Sequence, residues 1–301
     1  MKLKHRYFFC FHWCFIFFLS FSLVTSAQQS VNNTERVKSK KKKKIKLPEI
    51  DLTNWSVTVP FEQKNGKPLV LQYPDILKYE TNTDIRKYMY TDSLRGAIVF
   101  YAEPTKATTP NSKYSRSELR EQIVPGNNNV NWRFDQGAIM RGKLSIDKVS
   151  KDSNGKFHRI MIMQIHGRLT DEQRDLIGQK DNNAPPILKI YWDNGKVRIK
   201  TKVLKDLNST YEAMLDKNAW GDDNGFNFEQ EVGFRKFELE VRVSKGKIVV
   251  VLNKNEYKVY EGIHMDKWSV FENYFKAGNY FQTRDSESFA KVSYFELDVK
   301  H

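Results

Sequence analysis

Phe237-Glu238-Leu239-Glu240-Val241-Arg242-Val243 alternates apolar and charged residues without a break. Successive strand side chains point to opposite faces, so this pattern describes a half-buried β-strand. Lys245-Gly246-Lys247 interrupts it, and Ile248 to Leu252 resumes in β-rich residues, which together predict a hairpin. Working outward, the same kind of run recurs at Trp55-Ser56-Val57-Thr58-Val59, Gly96-Ala97-Ile98-Val99-Phe100-Tyr101 and Ile187-Leu188-Lys189-Ile190-Tyr191-Trp192. A last one, Val292-Ser293-Tyr294-Phe295-Glu296-Leu297-Asp298-Val299, closes the chain. Pro, Gly, Asn and Asp punctuate these runs, and long helical periodicity is nearly absent. The expected fold is all-β: a two-sheet antiparallel sandwich or jelly roll.

The 301 residues do not all belong to that fold. Lys2, Lys4 and Arg6 precede an apolar run from Tyr7 to Val24, and Thr25-Ser26-Ala27 supplies small residues before Gln28. That order predicts a secretory signal peptide over 1–27, with an uncleaved anchor as the alternative. Both cysteines, Cys10 and Cys14, fall inside it, so the mature chain would have neither disulfide nor thiol nucleophile. Of the formal charge of +14, the signal carries +3 and residues 35–46 carry +7, which leaves +4 for 47–301. Residues 28–46, with the run Lys40 to Lys44, read as a polar linker. Lysine runs can bind nucleic acid, but behind an export signal a solvated tether is the simpler reading. Attraction to an acidic ligand must therefore come from local charge placement in 47–301.

Three runs place polar groups on one face. Arg116, Glu118, Arg120 and Gln122 share a side of the first, and Gln164 and His166 share a side of Met161-Ile162-Met163-Gln164-Ile165-His166. Met161, Met163 and Ile165 would face the other way. Tyr274, Lys276, Gly278, Tyr280 and Gln282 share a side of the third, backed by Phe275, Ala277 and Phe281. In one sheet these would build a groove floor of cations, amides, phenols and one imidazole, with Gly278 where a ligand nears the backbone. Each run alone is also compatible with an ordinary solvated strand.

The segments Arg116-Ser117-Glu118-Leu119-Arg120, Gln164-Ile165-His166 and Tyr274-Phe275-Lys276-Ala277-Gly278-Asn279-Tyr280-Phe281-Gln282 resemble, in order, the three signature motifs of alginate lyases of polysaccharide lyase family 7. Trp55 to Pro60 and Asn131-Trp132 resemble framework segments of that family, and the likeness spans 47–301. It implies a β-jelly roll whose concave sheet binds the polymer. It also implies catalytic roles for Arg116, Gln164, His166 and Tyr280, with Glu118, Arg120, Lys276 and Gln282 contacting or supporting the substrate. The expectation is a secreted, monomeric, cofactor-free enzyme acting on alginate, with no metal and no nucleic-acid partner; a periplasmic or surface-associated location is the variant. Ile165 between Gln164 and His166 resembles the subgroup that favours guluronate-containing stretches.

The chemistry suits these residue types. β-Elimination removes a proton beside a carboxylate and expels the oxygen on the neighbouring carbon. Arg116 and Gln164 can hold the charge that spreads onto the carboxylate, His166 can take the proton, and Tyr280 can protonate the leaving oxygen. With mannuronate, family analogy gives Tyr280 both proton transfers. His158, His264 and His301 carry no motif, and Asp222-Asp223-Asn224-Gly225 reads as an ordinary turn rather than a calcium loop. A non-catalytic carbohydrate-binding module, a lyase for another polyuronate such as glucuronan, and a glycoside hydrolase with two flanking carboxylates are the competing readings. Between its two arginines, Glu118 looks like a carboxylate that holds their geometry.

Overall fold

The computed structural model describes residues 45–109 and 112–301, so the signal segment and all but the last two residues of the linker lie outside the described residues. The described residues form one compact unit. The strands follow in chain order as β1 (Glu49–Ile50), β2 (Trp55–Glu62), β3 (Pro68–Leu71), β4 (Met89–Asp92), β5 (Ala97–Ala102), β6 (Arg116–Glu121), β7 (Ala138–Val149), β8 (Ile160–Arg168) and β9 (Asn183–Asp193). They continue as β10 (Lys196–Leu204), β11 (Trp220–Asp222), β12 (Phe226–Glu231), β13 (Phe237–Ser244), β14 (Lys247–Leu252), β15 (Glu256–Glu261), β16 (Glu272–Phe281) and β17 (Ala290–Lys300). Among the described residues three short α-helices interrupt them: α1 (Asp171–Leu176), α2 (Tyr211–Leu215) and α3 (Ile263–Lys267). No helix among the described residues is long and apolar enough to cross a membrane.

The strands form two sheets, as the alternation predicts. One runs β15-β14-β13-β7-β17-β5-β4, with β1 added parallel to β17. The other, which carries the site, runs β11-β10-β9-β8-β16-β6-β2-β3, with β12 on β10. In β13 the inward Phe237, Leu239, Val241 and Val243 are buried between the more exposed Glu238, Glu240 and Arg242, and Ser244 pairs with Lys247 across the expected hairpin. Between the sheets lies one apolar core in which Trp192, Trp268, Phe275, Phe281 and Tyr294 are fully buried. Burying an aromatic side chain contributes about 1.5–3 kcal/mol, so the aromatic inner faces hold the sheets together without any disulfide.

One irregularity shapes the site sheet. Met161 pairs with Tyr191 and Met163 with Ile190, so Ile162 is an extra residue in β8. Opposite it, Gly278 and Asn279 of β16 fall between the pairs Ala277–Met163 and Tyr280–Met161. The bulge leaves backbone groups without ladder partners, and the other sheet supplies them. The Tyr294 hydroxyl of β17 donates to the Ile162 carbonyl at 2.6 Å and accepts from the Gly278 N–H at 3.3 Å. The Asn279 amide donates to the Phe100 and Ala290 carbonyls at 3.1 and 2.9 Å. Gly278 has φ +140°, and a Cβ there would lie 2.6 Å from the Ser117 carbonyl oxygen and 2.8 Å from the Glu118 Cα. Only glycine fits.

The bulge corrects one expectation. Strict period-2 counting puts Met161 on the core side with Met163. The extra residue at Ile162 reverses the parity, so Met161 shares a row with Tyr280 and Tyr191 and lies outside the core cluster that holds Ile162 and Met163.

Candidate active site

The pairing registers lay the groove floor out in rows. Arg116 faces Tyr280, Tyr280 faces Met161, Met161 faces Tyr191 and Tyr191 faces Arg198. A second row runs Arg120, Lys276, Gln164, Lys189 and Lys200. His166 lies one step further, between Tyr274 of β16 and Pro186 of β9. Proline has no N–H for the ladder, and the β8–β9 register shifts on both sides of that pair.

Glu118 is the hub of the first two rows. It is 1% exposed, and its carboxylate accepts from Arg116 Nη1 at 2.9 Å, from Lys276 Nζ and from Gln164 Nε2. Burial alone would raise its pKa, but the Lys276 and Arg116 cations outweigh it and hold the group below the usual carboxylate range. The expectation that Glu118 sits between two arginines needs correcting. Its cations are Arg116 and Lys276, because Arg120 is drawn away to the carbonyls of Glu121 and Asn128 and to Asn131 Oδ1. Arg120 instead lies over the Tyr274 ring, 4.1 Å from its centroid.

His166 is held in one tautomer. Its Nδ1 lies 2.9 Å from the Gly167 carbonyl oxygen, and a carbonyl can only accept, so the hydrogen sits on Nδ1 and Nε2 keeps its lone pair. The ring stacks on Tyr274 at 5.2 Å and 16°. Burial first, and then the Lys276 ammonium, pull its pKa down to about 3. The imidazole is therefore neutral across the ordinary pH range. Burial and Arg116 likewise lower Lys276 to about 8 against the opposing pull of Glu118.

On the other side of the groove, Arg116 lies 3.9 Å from the Tyr280 ring centroid. The Tyr280 hydroxyl and Arg116 Nη2 converge on Ser112 Oγ at 2.9 and 2.7 Å. Ser112 was not expected from the sequence, because it lies in a Pro-, Ser- and Thr-containing loop with no periodic pattern. Tyr274 has the parity of the same face, and its ring lies between His166 and Arg120. Gln282 stands apart: it lies just past β16, and its amide donates to the Tyr280 carbonyl at 3.2 Å.

The remaining singled-out groups are structural. Trp132 Nε1 and the Phe275 N–H both donate to Glu121, which His301 also contacts at 2.7 Å. His264 Nδ1 accepts from the Leu204 N–H, and His158 packs edge-on against Phe281. Asp223 bonds Thr201 and the Gly225 N–H, as a turn aspartate does, while Asp222 pairs with Lys189 and Lys202.

Comparison with known proteins shows the family and the fold. The chain is 24% identical over 300 residues to an alginate lyase from Klebsiella pneumoniae, covering 83% of this chain and 89% of that protein. It superposes on the crystal structure of alginate lyase A1-II′, a member of polysaccharide lyase family 7, with TM-score 0.66 and 28% identity, over 84% of this chain and 96% of that one. An alginate lyase structure from Pseudomonas aeruginosa shares the fold at TM-score 0.61 and 22% identity, over 84% and 100% of the two chains. A family model described as alginate lyase matches residues 50–301, and the chain belongs to that family, the alginate lyases of polysaccharide lyase family 7.

Proposed function

We propose that this polysaccharide lyase is an exported monomer that cleaves the 1,4-linkages of alginate by β-elimination, leaving 4,5-unsaturated uronate ends, with a preference for guluronate-containing blocks. The observation that carries the reading is the neutral His166, with Nε2 unprotonated, beside a cluster of Arg116, Lys276 and Gln164 organised on one buried carboxylate. A substrate carboxylate over that cluster meets two cations and the second N–H of Gln164, which suits the charge developing as the C5 proton leaves. His166 Nε2 takes that proton. The Tyr280 hydroxyl, two rows away, gives its proton to the departing C4 oxygen.

One relative supports placing an oligosaccharide in this groove, since two variants of alginate lyase A1-II′ have crystal structures in complex with a product written GGG and a substrate written GGMG. A hydrolase would need two available carboxylates. Here Glu118 is engaged by three donors and Glu121 lies beneath the floor on Trp132 and Phe275. The segments 1–27 and 28–46 support export and a tether.

Incubating the mature protein with guluronate, mannuronate and mixed blocks, and following ultraviolet absorbance of unsaturated ends, tests the reading. Rising absorbance is expected, fastest on guluronate-containing blocks. Binding without any rise would favour a carbohydrate-binding module, and activity only on another polyuronate would redirect the substrate.

A further inference from the structure

His166 opens onto a cleft of about 370 Å³ whose far wall carries Lys202, Lys205 and Lys217. Between them lie Pro186 of β9 and Trp220 of β11. Lys202 pairs with Asp222 at 2.8 Å. Lys205 and Lys217 are exposed, and among the described residues neither ammonium has an ion-pair or hydrogen-bond partner. Their sequence neighbours Asp206 and Asp216 are turned to backbone N–H groups of Asn208 and Asn218. Lys202 thus shares its one carboxylate with Lys189, and no carboxylate touches Lys205 or Lys217 among the described residues. Such unbalanced charge at the mouth of a groove attracts anions.

The spacing suggests which anion. Neighbouring strands lie about 4.8 Å apart, and β10 is two strands from β8, so Lys202 stands roughly 10 Å from the His166 strand. A 1,4-linked uronan lying across the strands advances by about one interstrand spacing per sugar. A carboxylate two sugars from the one at His166 therefore arrives at this wall.

Resting on the proposed alginate activity, we propose that Lys202, Lys205 and Lys217 form a carboxylate-binding station for a uronate two residues beyond the sugar deprotonated at His166. Occupying the station draws long polyuronate chains into the groove and lets the enzyme favour them over short ones. The station touches no reacting atom, so it contributes to binding and leaves the chemical step to the residues already described.

The test is the Lys205→Ala/Lys217→Ala variant of the mature chain, beside the parent and a Lys148→Ala/Lys245→Ala control. The control removes the same charge from exposed positions at β7 and at the β13–β14 turn. On polymeric alginate the station variant should show a KM roughly 3- to 30-fold higher, as expected for two partly exposed ion pairs, with kcat retained and the control unchanged. An unchanged KM, or an equal change in the control, overturns the station. Affinity electrophoresis of the three proteins in alginate gels reads binding without turnover, and the station variant should be retarded least. If the parent makes no unsaturated ends, the activity falls, and the gel still decides the station by itself.

Discussion

Replacing Glu118 with Gln keeps the side chain's shape and removes the charge on which three groups converge. Lys276 and Arg116 would then face each other inside the sheet with no anion between them. Breaking a buried ion pair by deleting one partner costs about 3–5 kcal/mol. Lys276 has an escape, because its pKa is already pulled down to about 8. Discharging it costs only about 1.4 kcal/mol per pH unit. The loss should therefore lie near the lower end, about 3 kcal/mol. For a domain of this size that is a fall of roughly 6–12 °C in melting temperature. Turnover should suffer more, by about 10²–10³-fold, because the discharged lysine no longer faces the substrate carboxylate. Thermal melts of the parent, Glu118→Gln, Lys276→Met and the double variant form a cycle. The double variant should be about 1–3 kcal/mol more stable than the two losses added together. Strictly additive losses, or a Glu118→Gln protein as stable as the parent, would refute the shared-carboxylate reasoning.

Three further outcomes follow from the same geometry. Tyr280→Phe keeps the ring against Arg116 and loses only the hydroxyl, so turnover should drop about 10²–10⁴-fold with an unchanged melting temperature; near-parent rates on all block types would remove Tyr280 from proton transfer. For pH, the depressed His166 stays neutral from mild acid upward, so the rate should not fall as pH drops through the usual histidine range. The rate should instead decline as pH rises through about 8, where Lys276 loses its proton, and Lys276→Arg should move that decline to higher pH in a kcat/KM profile. Tyr294→Phe should cost about 1–3 kcal/mol in a denaturant melt, since the Ile162 carbonyl and Gly278 N–H would be left buried and unpaired.

Much of the fold could be read from the chain because its strands obey simple alternation. Phe237 to Val243 names its own buried face, and Lys245-Gly246 marks the turn. The site was legible where the strand is regular: β6 and β16 pair without a slip from Lys276–Arg120 to Tyr280–Arg116, so counting by twos finds the groove face. Counting failed at Met161, because nothing local announces the extra residue at Ile162. It also missed Ser112, whose place is set by a loop, and Lys189 and Lys202, which on isolated strands look like solvent-facing lysines. Their meaning depends on β9 and β10 lying beside β8. Strand order is a long-range property that no single segment encodes.

The slip at Ile162 has a consequence for anyone who recombines or shortens this scaffold. It sets the offset between the half of the groove that carries Arg116 and Tyr280 and the half that carries Gln164 and His166. The clamps that keep that offset come from outside the groove, from Tyr294 and the Ala290 carbonyl of β17 and the Phe100 carbonyl of β5. The sheet behind the groove works as a jig. A chimera given the groove strands alone would inherit every reactive side chain and lose the distance between them, so β5 and β17 must travel with the motifs.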